Sequence, residues 1–310
     1  MSELRTALQD YLVLRRSLGF KLRLPGSLLQ DFVSFAEQEG DSFITTELAL
    51  RWAQQPSDAQ PAQWANRLGM VRRFAQYHSA TDPRTEIPPQ ELLPYRYHRK
   101  APYIYSEEEI RNLIDAAKQL PSPSGLRSWT YLTLFGLIAV TGMRVSEPIA
   151  LNRQDVDLSR GVLVVRRTKF GKTRLVPLHP STQKVLQTYA CRRDAIYPNP
   201  KTPSFLLSER GARLTDHVVR WTFVKISHQI GLRGPSDRHG PRIQDLRHAY
   251  AVRTLLGWYR AGLDVEQHLP ELATYLGHVH VADTYWYLSA TPELLQWAAK
   301  RLQRNQGGPL

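Results

Sequence analysis

Apolar residues recur at helical spacing through residues 3–90. Leu4, Leu8, Tyr11, Leu12 and Leu14 open one stripe, and Leu28, Leu29, Phe32, Val33 and Phe35 form a second. Steps of three and four place such residues on one helix face. Thr45-Thr46-Glu47-Leu48 offers a capped start for a third helix, and the run from Trp64 to Tyr77 predicts a fourth. Around 88–103 the pattern stops, because Pro88, Pro89, Pro94 and Pro102 break regular structure. Ser106-Glu107-Glu108-Glu109 then carries the capping-box signature and announces a new helix. The pattern predicts a helical domain over 1–90, a linker over 91–103 and a second domain over 104–310.

The second domain reads as mostly helical with one strand-rich insert. The apolar run from Trp129 to Val140, with Thr133 and Gly136 among its few interruptions, is too short to span a bilayer and predicts a buried core helix. Val162-Leu163-Val164-Val165 and Arg174-Leu175-Val176-Pro177-Leu178 flank Lys169-Phe170-Gly171-Lys172, the pattern of a hairpin with a glycine in its turn. Further helices are expected around 181–193, 215–230, 246–260 and 291–304. No internal repeat or low-complexity tract interrupts the pattern.

Composition adds a partner. A chain of 310 residues with 42% hydrophobic content can build two ordinary cores. Its formal net charge of +13 calls for a polyanion, and nucleic acid fits better than a membrane, since no cationic cluster borders a long apolar segment. Arg15, Arg16, Lys21 and Arg23 crowd one stretch without an acid, which suits a DNA-backbone contact and a solvated helix face equally. Arg99 and Lys100 add charge to the linker. The single cysteine, Cys191, excludes an intramolecular disulfide and a Cys-rich zinc site, and reads as buried packing. The start, Met1-Ser2-Glu3-Leu4-Arg5, lacks the apolar core of a signal peptide. The expected location is the cytoplasm, in contact with the nucleoid.

Four segments carry chemistry suited to a phosphodiester. Cleaving one without a metal takes a nucleophile, cations on the non-bridging oxygens and a proton for the leaving oxygen. Thr141-Gly142-Met143-Arg144-Val145-Ser146-Glu147 offers a guanidinium with an acid three residues on, a pairing that also occurs as a plain structural ion pair. The hairpin gathers Arg166, Arg167, Lys169, Lys172 and Arg174; any of these suits a DNA contact, and charge does not choose between Lys169 and Lys172 as proton donor. Gln244-Asp245-Leu246-Arg247-His248 offers a second clamp arginine. Leu276-Gly277-His278 precedes Thr284-Tyr285-Trp286-Tyr287, pairing a hydrogen-bond donor with a tyrosine that nearby positive charge would help to ionise. Tyr285 and Tyr287 lie two apart, so on a helix they point in roughly opposite directions.

Taken together and in this order, Thr-Gly-Met-Arg-Val-Ser-Glu, Thr-Lys-Phe-Gly-Lys-Thr-Arg-Leu-Val-Pro-Leu, Asp-Leu-Arg-His-Ala-Tyr-Ala, Leu-Gly-His and Thr-x-x-Tyr resemble the tyrosine recombinase (phage integrase) family over about residues 104–300. The resemblance implies a mainly helical fold: an N-terminal core-binding, SAM-like domain, then a mixed α/β catalytic domain of the DNA breaking-rejoining type with a small antiparallel sheet. It implies Arg144 and Arg247 as clamp arginines, Lys169 as the hairpin lysine, His278 as a further phosphate contact and Tyr287, over Tyr285, as nucleophile. Glu147 matches the family's supporting acid. It implies double-stranded DNA as partner, a homo- or hetero-tetramer on paired sites, and no metal or other cofactor. Tyr-Trp-Tyr-Leu-Ser-Ala-Thr-Pro-Glu-Leu resembles the subgroup carried by transposable elements.

One position departs. Where the family usually has histidine three residues before the second arginine, this chain has Gln244, which can donate to a phosphate oxygen but cannot shuttle a proton. Two other readings stand beside the recombinase: an integrase-like DNA-binding protein impaired by Gln244, and a metal nuclease using His278-Val279-His280.

Overall fold

The computed structural model describes residues 2–94, 102–166, 171–237, 240–289 and 291–305. The chain divides into two compact units, Met1–Lys100 and Ala101–Leu310.

The first unit holds four helices: α1 (Glu3–Ser17), α2 (Arg23–Glu39), α3 (Thr46–Gln54) and α4 (Pro61–His78). Ser2 and Thr45 cap α1 and α3 by accepting from the backbone N–H of Arg5 and Leu48. Gly40 closes α2 in the left-handed region at φ 81°. The apolar faces meet in a core where Phe32, Val33, Trp52 and Phe74 are fully buried. Arg67 stacks on the Trp52 ring at 3.8 Å and donates to the Trp52 carbonyl at 3.0 Å, tying α3 to α4. Leu14, which the sequence pattern placed in the α1 stripe, lies outside it: α1 buries Leu4, Leu8, Tyr11 and Leu12, and Leu14 is exposed.

The second unit centres on a long apolar helix. After α5 (Glu107–Lys118) comes α6 (Leu126–Thr141), in which Leu134, Phe135 and Ile138 are fully buried. A short α7 (Ser146–Ala150) leads into β1 (Val156–Asp157), β2 (Val162–Val165) and β3 (Arg174–Pro177), an antiparallel sheet in the order β1-β2-β3. In the hairpin Val165 faces Arg174 and Leu163 faces Val176. Leu163, Val165 and Val176 point into the core while Leu175 is exposed, the alternation a one-sided sheet requires. Then follow α8 (Pro180–Ile196), α9 (Asp216–Gln229), α10 (Asp245–Arg260), α11 (Val265–Leu276), the one-turn α12 (Ala282–Tyr285), a 3-10 turn over Trp286–Ser289, and α13 (Pro292–Asn305).

This is the mainly helical architecture with a small antiparallel sheet that the sequence implied. The pattern missed β1, which is only two residues long, and placed no helix over α11, whose Pro270 interrupts the helical signal. Cys191 is a correction: it is exposed on α8, whose core side is carried by Leu186, Tyr189 and Arg193. Among the described residues no helix is long and apolar enough to cross a membrane.

The capping box at α5 is formed in both directions. Ser106 Oγ accepts from the Glu109 N–H at 3.1 Å, and Glu109 Oε2 accepts from the Ser106 N–H at 2.8 Å. Ser106→Ala is expected to destabilise the protein by about 1 kcal/mol, read as a lower denaturant midpoint at unchanged slope; an unmoved midpoint would contradict this account of the helix start.

Candidate active site

The site is built where two helices end. α6 terminates at Gly142 and α11 at Gly277, both in the left-handed region at φ 62° and φ 70°. A Cβ on Gly142 would lie 2.5 Å from Tyr250 Cδ1, and one on Gly277 would lie 2.9 Å from Arg174 Nη1, so glycine is required by space as well as by φ. The last carbonyls of a helix have no partner within it. Here three consecutive ones each take a different arginine. Arg174 Nε donates to Tyr275 O at 2.8 Å, Arg247 Nη2 to Leu276 O at 2.7 Å, and Arg144 Nη2 to Gly277 O at 3.2 Å. Arg247 Nη1 also donates to Gly142 O at 2.8 Å and so joins the two helix ends.

One carboxylate answers these cations. Glu147 is 6% exposed and holds Arg174 with both oxygens, at 2.9 and 2.7 Å. It also accepts from the Arg144 backbone N–H at 2.8 Å and from Arg144 Nη1 at 3.1 Å. Burial alone would push its carboxyl upward, but the hydrogen bonds and charge of Arg174, the Arg144 N–H and the charge of Arg247 outweigh it and hold it below the ordinary range. Arg247, 3% exposed, is pushed down to about 10 by burial and then by the charge of Arg144. Among the described residues Glu147 is the one carboxylate that pairs with Arg144 and Arg174, and Arg247 forms no ion pair, so the cluster keeps an excess of positive charge.

His278 follows Gly277 directly. Its Nδ1 lies 2.7 Å from Thr284 Oγ1, and its ring stacks on Tyr287 with centroids 6.2 Å apart. Burial, then the charges of Arg247 and Arg144, push the imidazole down to about 4, so it is uncharged at neutral pH. Tyr287 is 3% exposed, and its hydroxyl lies 3.3 Å from His248 Nδ1. Tyr285 is 49% exposed.

Of the residues singled out from sequence, Arg144, Glu147, Arg247, His278 and Tyr287 therefore converge on these two helix ends. Gln244 is exposed just ahead of α10, and its side chain forms no hydrogen bond among the described residues. Lys169 and Arg167 lie outside the described residues, as do Arg99 and Lys100. Lys172 is exposed; Arg166 is exposed but pairs with Asp155 at 2.6 Å. In the first unit Arg16 and Lys21 are exposed, and Arg15 lies over the Phe20 ring at 3.9 Å.

Arg174 corrects the expectation of a surface DNA contact, because its side chain is only 10% exposed and its nitrogens are committed to Glu147 and Tyr275 O. Strand alternation was the available signal: Arg174 sits two residues from the core residue Val176 and shares its face. His248 and Thr284 sit inside the motifs Asp-Leu-Arg-His and Thr-x-x-Tyr, which gave them no contact of their own in the site. His280 is exposed, and no group of three His, Cys, Asp or Glu side chains placed to hold a metal occurs among the described residues.

Known proteins resemble this chain in sequence and in fold. The sequence model of the phage integrase family matches residues 104–293. A putative integrase/recombinase y4rB of Sinorhizobium fredii is 51% identical, covering 98% of this chain and 98% of its own. The tyrosine recombinase XerD of Caulobacter vibrioides is 31% identical over 76% of this chain and 73% of its own. Among solved structures, the Tn1549 transposon integrase in complex with transposon right end DNA gives a TM-score of 0.66 at 13% identity, covering 98% of this chain and 99% of that one, a likeness of fold alone.

The depressed His278 has a sign that can be measured. Between pH 6.5 and about 4 the unfolded chain carries a proton on this residue that the folded chain refuses. Stability is therefore expected to fall as pH drops through that window. His278→Asn removes the contribution, so its denaturant midpoint should fall less steeply from pH 7 to pH 5; equal slopes would contradict the buried, neutral imidazole.

Proposed function

The chain belongs to the phage integrase family, and from that premise we propose that Tyr287 breaks DNA by attacking a backbone phosphorus. As a tyrosine recombinase the protein is a DNA strand-cleaving and rejoining enzyme. In the reading we favour, the Tyr287 oxygen bonds to phosphorus while the bond to the 5′ oxygen breaks. The products are a 3′-phosphotyrosyl link and a free 5′-hydroxyl. Because the phosphodiester energy is kept in that link, rejoining needs only the reverse attack by a 5′-hydroxyl.

The observation that carries this reading is the cationic cluster with its single carboxylate, adjoining the stacked His278 and Tyr287 rings. Charge building on the non-bridging oxygens is stabilised best by preorganised cations and donors. Arg144, the more exposed of the arginines that Glu147 binds, and Arg247 supply the cations; His278 supplies a neutral donor. Lys169 protonates the leaving oxygen, and Gln244 donates its amide to the phosphate. The exposed cations Arg16, Lys21 and Lys172, with Arg15, Arg99, Lys100, Arg166 and Arg167, hold the duplex. Glu147 and Arg174 hold the clamp.

Exchange between two duplexes breaks four strands, and one tyrosine can hold only one. Four protomers on two paired sites follow, either identical or with sister recombinases. The 98% shared length with an integrase/recombinase, and the fold shared with a transposon integrase, support movement of a DNA element as the outcome.

The test is a nicked suicide duplex taken from DNA flanking the protein's own gene. Wild type is expected to form a covalent protein–DNA adduct, in excess EDTA as well. Tyr287→Phe should form none and Tyr285→Phe should form it normally. Binding without an adduct would leave a DNA-binding protein, and loss in EDTA would favour metal chemistry. Gln244→His separately probes the departure from the family pattern: it should preserve or raise the cleavage rate, and a drop of about tenfold or more would show that the amide is needed as it stands.

A further inference from the structure

We infer that Thr284 is a positioning residue for strand cleavage, fixing the His278 ring and setting which of its nitrogens carries the proton. This deepens the reading above, since it takes His278 as a donor to the phosphate.

Thr284 is fully buried within α12, and its Oγ1 lies 2.7 Å from His278 Nδ1. A helical threonine can return its hydroxyl proton to the carbonyl four residues back or spend it on a neighbouring element. Thr141, Thr188 and Thr254 of this chain take the first course, bonding Leu137, Lys184 and Tyr250, while the buried Thr130 and Thr222 take the second, bonding Leu207 O and the Tyr131 hydroxyl. Thr284 takes the second course, and its hydroxyl faces the imidazole. The stacking on Tyr287, with ring planes 18° apart, sets the tilt of the same ring. Those two contacts hold the plane and rotation of His278 together.

A neutral imidazole has one nitrogen that donates and one that accepts. A hydroxyl donating to Nδ1 makes that nitrogen the acceptor and leaves the proton on Nε2. Nε2–H is then available to an anionic oxygen, as the proposed phosphate contact demands. The threonine proton stays on its own oxygen, and no bond to hydrogen is made or broken at residue 284. Burial and the neighbouring charges of Arg247 and Arg144 keep the ring uncharged, which is the state in which the tautomer matters. Valine at 284 has nearly the same shape and cannot donate; serine keeps the hydroxyl and loses only the methyl.

The experiment compares Thr284→Val and Thr284→Ser with wild type on the suicide duplex. Thr284→Val is expected to bind DNA within about twofold of wild type and to form the adduct at least about tenfold more slowly. Thr284→Ser should stay within about threefold of the wild-type rate. With labelled histidine nitrogens, nuclear magnetic resonance should find His278 Nδ1 proton-free in wild type and Thr284→Ser, and partly protonated in Thr284→Val. The resonance is assigned by its loss in His278→Asn. A Thr284→Val enzyme as fast as wild type, or a Thr284→Ser enzyme as slow as Thr284→Val, overturns the inference. If wild type itself forms no adduct, the role of Tyr287 fails instead; the nitrogen spectrum still decides Thr284, since a protonated Nδ1 in wild type refutes it.

Discussion

Arg247 is a buried cation, and a guanidinium taken from water must find fixed dipoles in its place. Its dipoles are the carbonyls of Gly142 and Leu276, at the C-terminal ends of α6 and α11. Helix C-termini carry partial negative charge, so both ends favour a cation between them. That arrangement works only if both helices stop at one place and the chain turns away sharply from each. Gly142 and Gly277 make those turns, and the side chains packed against them leave no room for a Cβ. Thr-Gly-Met-Arg and Leu-Gly-His are thus two halves of one device. Each ends a helix, aims a carbonyl at Arg247, and delivers the next functional residue, Arg144 or His278, to the same spot.

The same cluster decides the protonation of its neighbours. Glu147 cannot neutralise Arg144, Arg174 and Arg247 together, and the surplus positive charge makes a phosphate the natural counter-ion. It also explains why His278 stays uncharged: one more cation would add repulsion to the cost of burial. Neutrality turns the imidazole into a directional donor, whose usefulness depends on where its proton sits. Electrostatics at the arginines and hydrogen bonding at Thr284 are therefore linked through one ring.

Much of this was legible in the sequence, because glycine before a functional residue and five motifs in fixed order are local signals. Helical spacing marks α1, α2 and α4, each of which buries one face; a capping signal marks α3, and an apolar run marks α6, which is buried on most sides. Leu14 failed because spacing alone does not say how wide the buried stripe is. Cys191 failed because its small apolar character is only a preference, and α8 already filled its core face with Leu186 and Tyr189. Arg174 looks like the other hairpin cations by charge alone, and strand alternation sets it apart, since it shares a face with the core residue Val176. Thr284 and His248 stand in Thr-x-x-Tyr and Asp-Leu-Arg-His, but the motifs do not show their contacts: Thr284 meets His278 six residues back, and His248 meets Tyr287 only where α10 lies against the 3-10 turn.

The departure at Gln244 looks different once the field of the site is known. Gln244 and Arg247 are three residues apart at the start of α10, a spacing that puts both on one side of the helix. A histidine there would stand near the same surplus of positive charge that lowers His278, and would be pushed toward its neutral form too. A neutral histidine offers one donor to an oxygen, and an amide offers two. What glutamine gives up is the ability to pass a proton, a role the cationic surroundings already disfavour at this position. His248 is one residue beyond Arg247, and its Nδ1 meets the Tyr287 hydroxyl at 3.3 Å. On the mechanism proposed above, the phenol proton would pass to His248, the titratable group that meets the hydroxyl among the described residues. On that proposal, donation to the phosphate and deprotonation of the tyrosine belong to different residues, and only the first involves position 244.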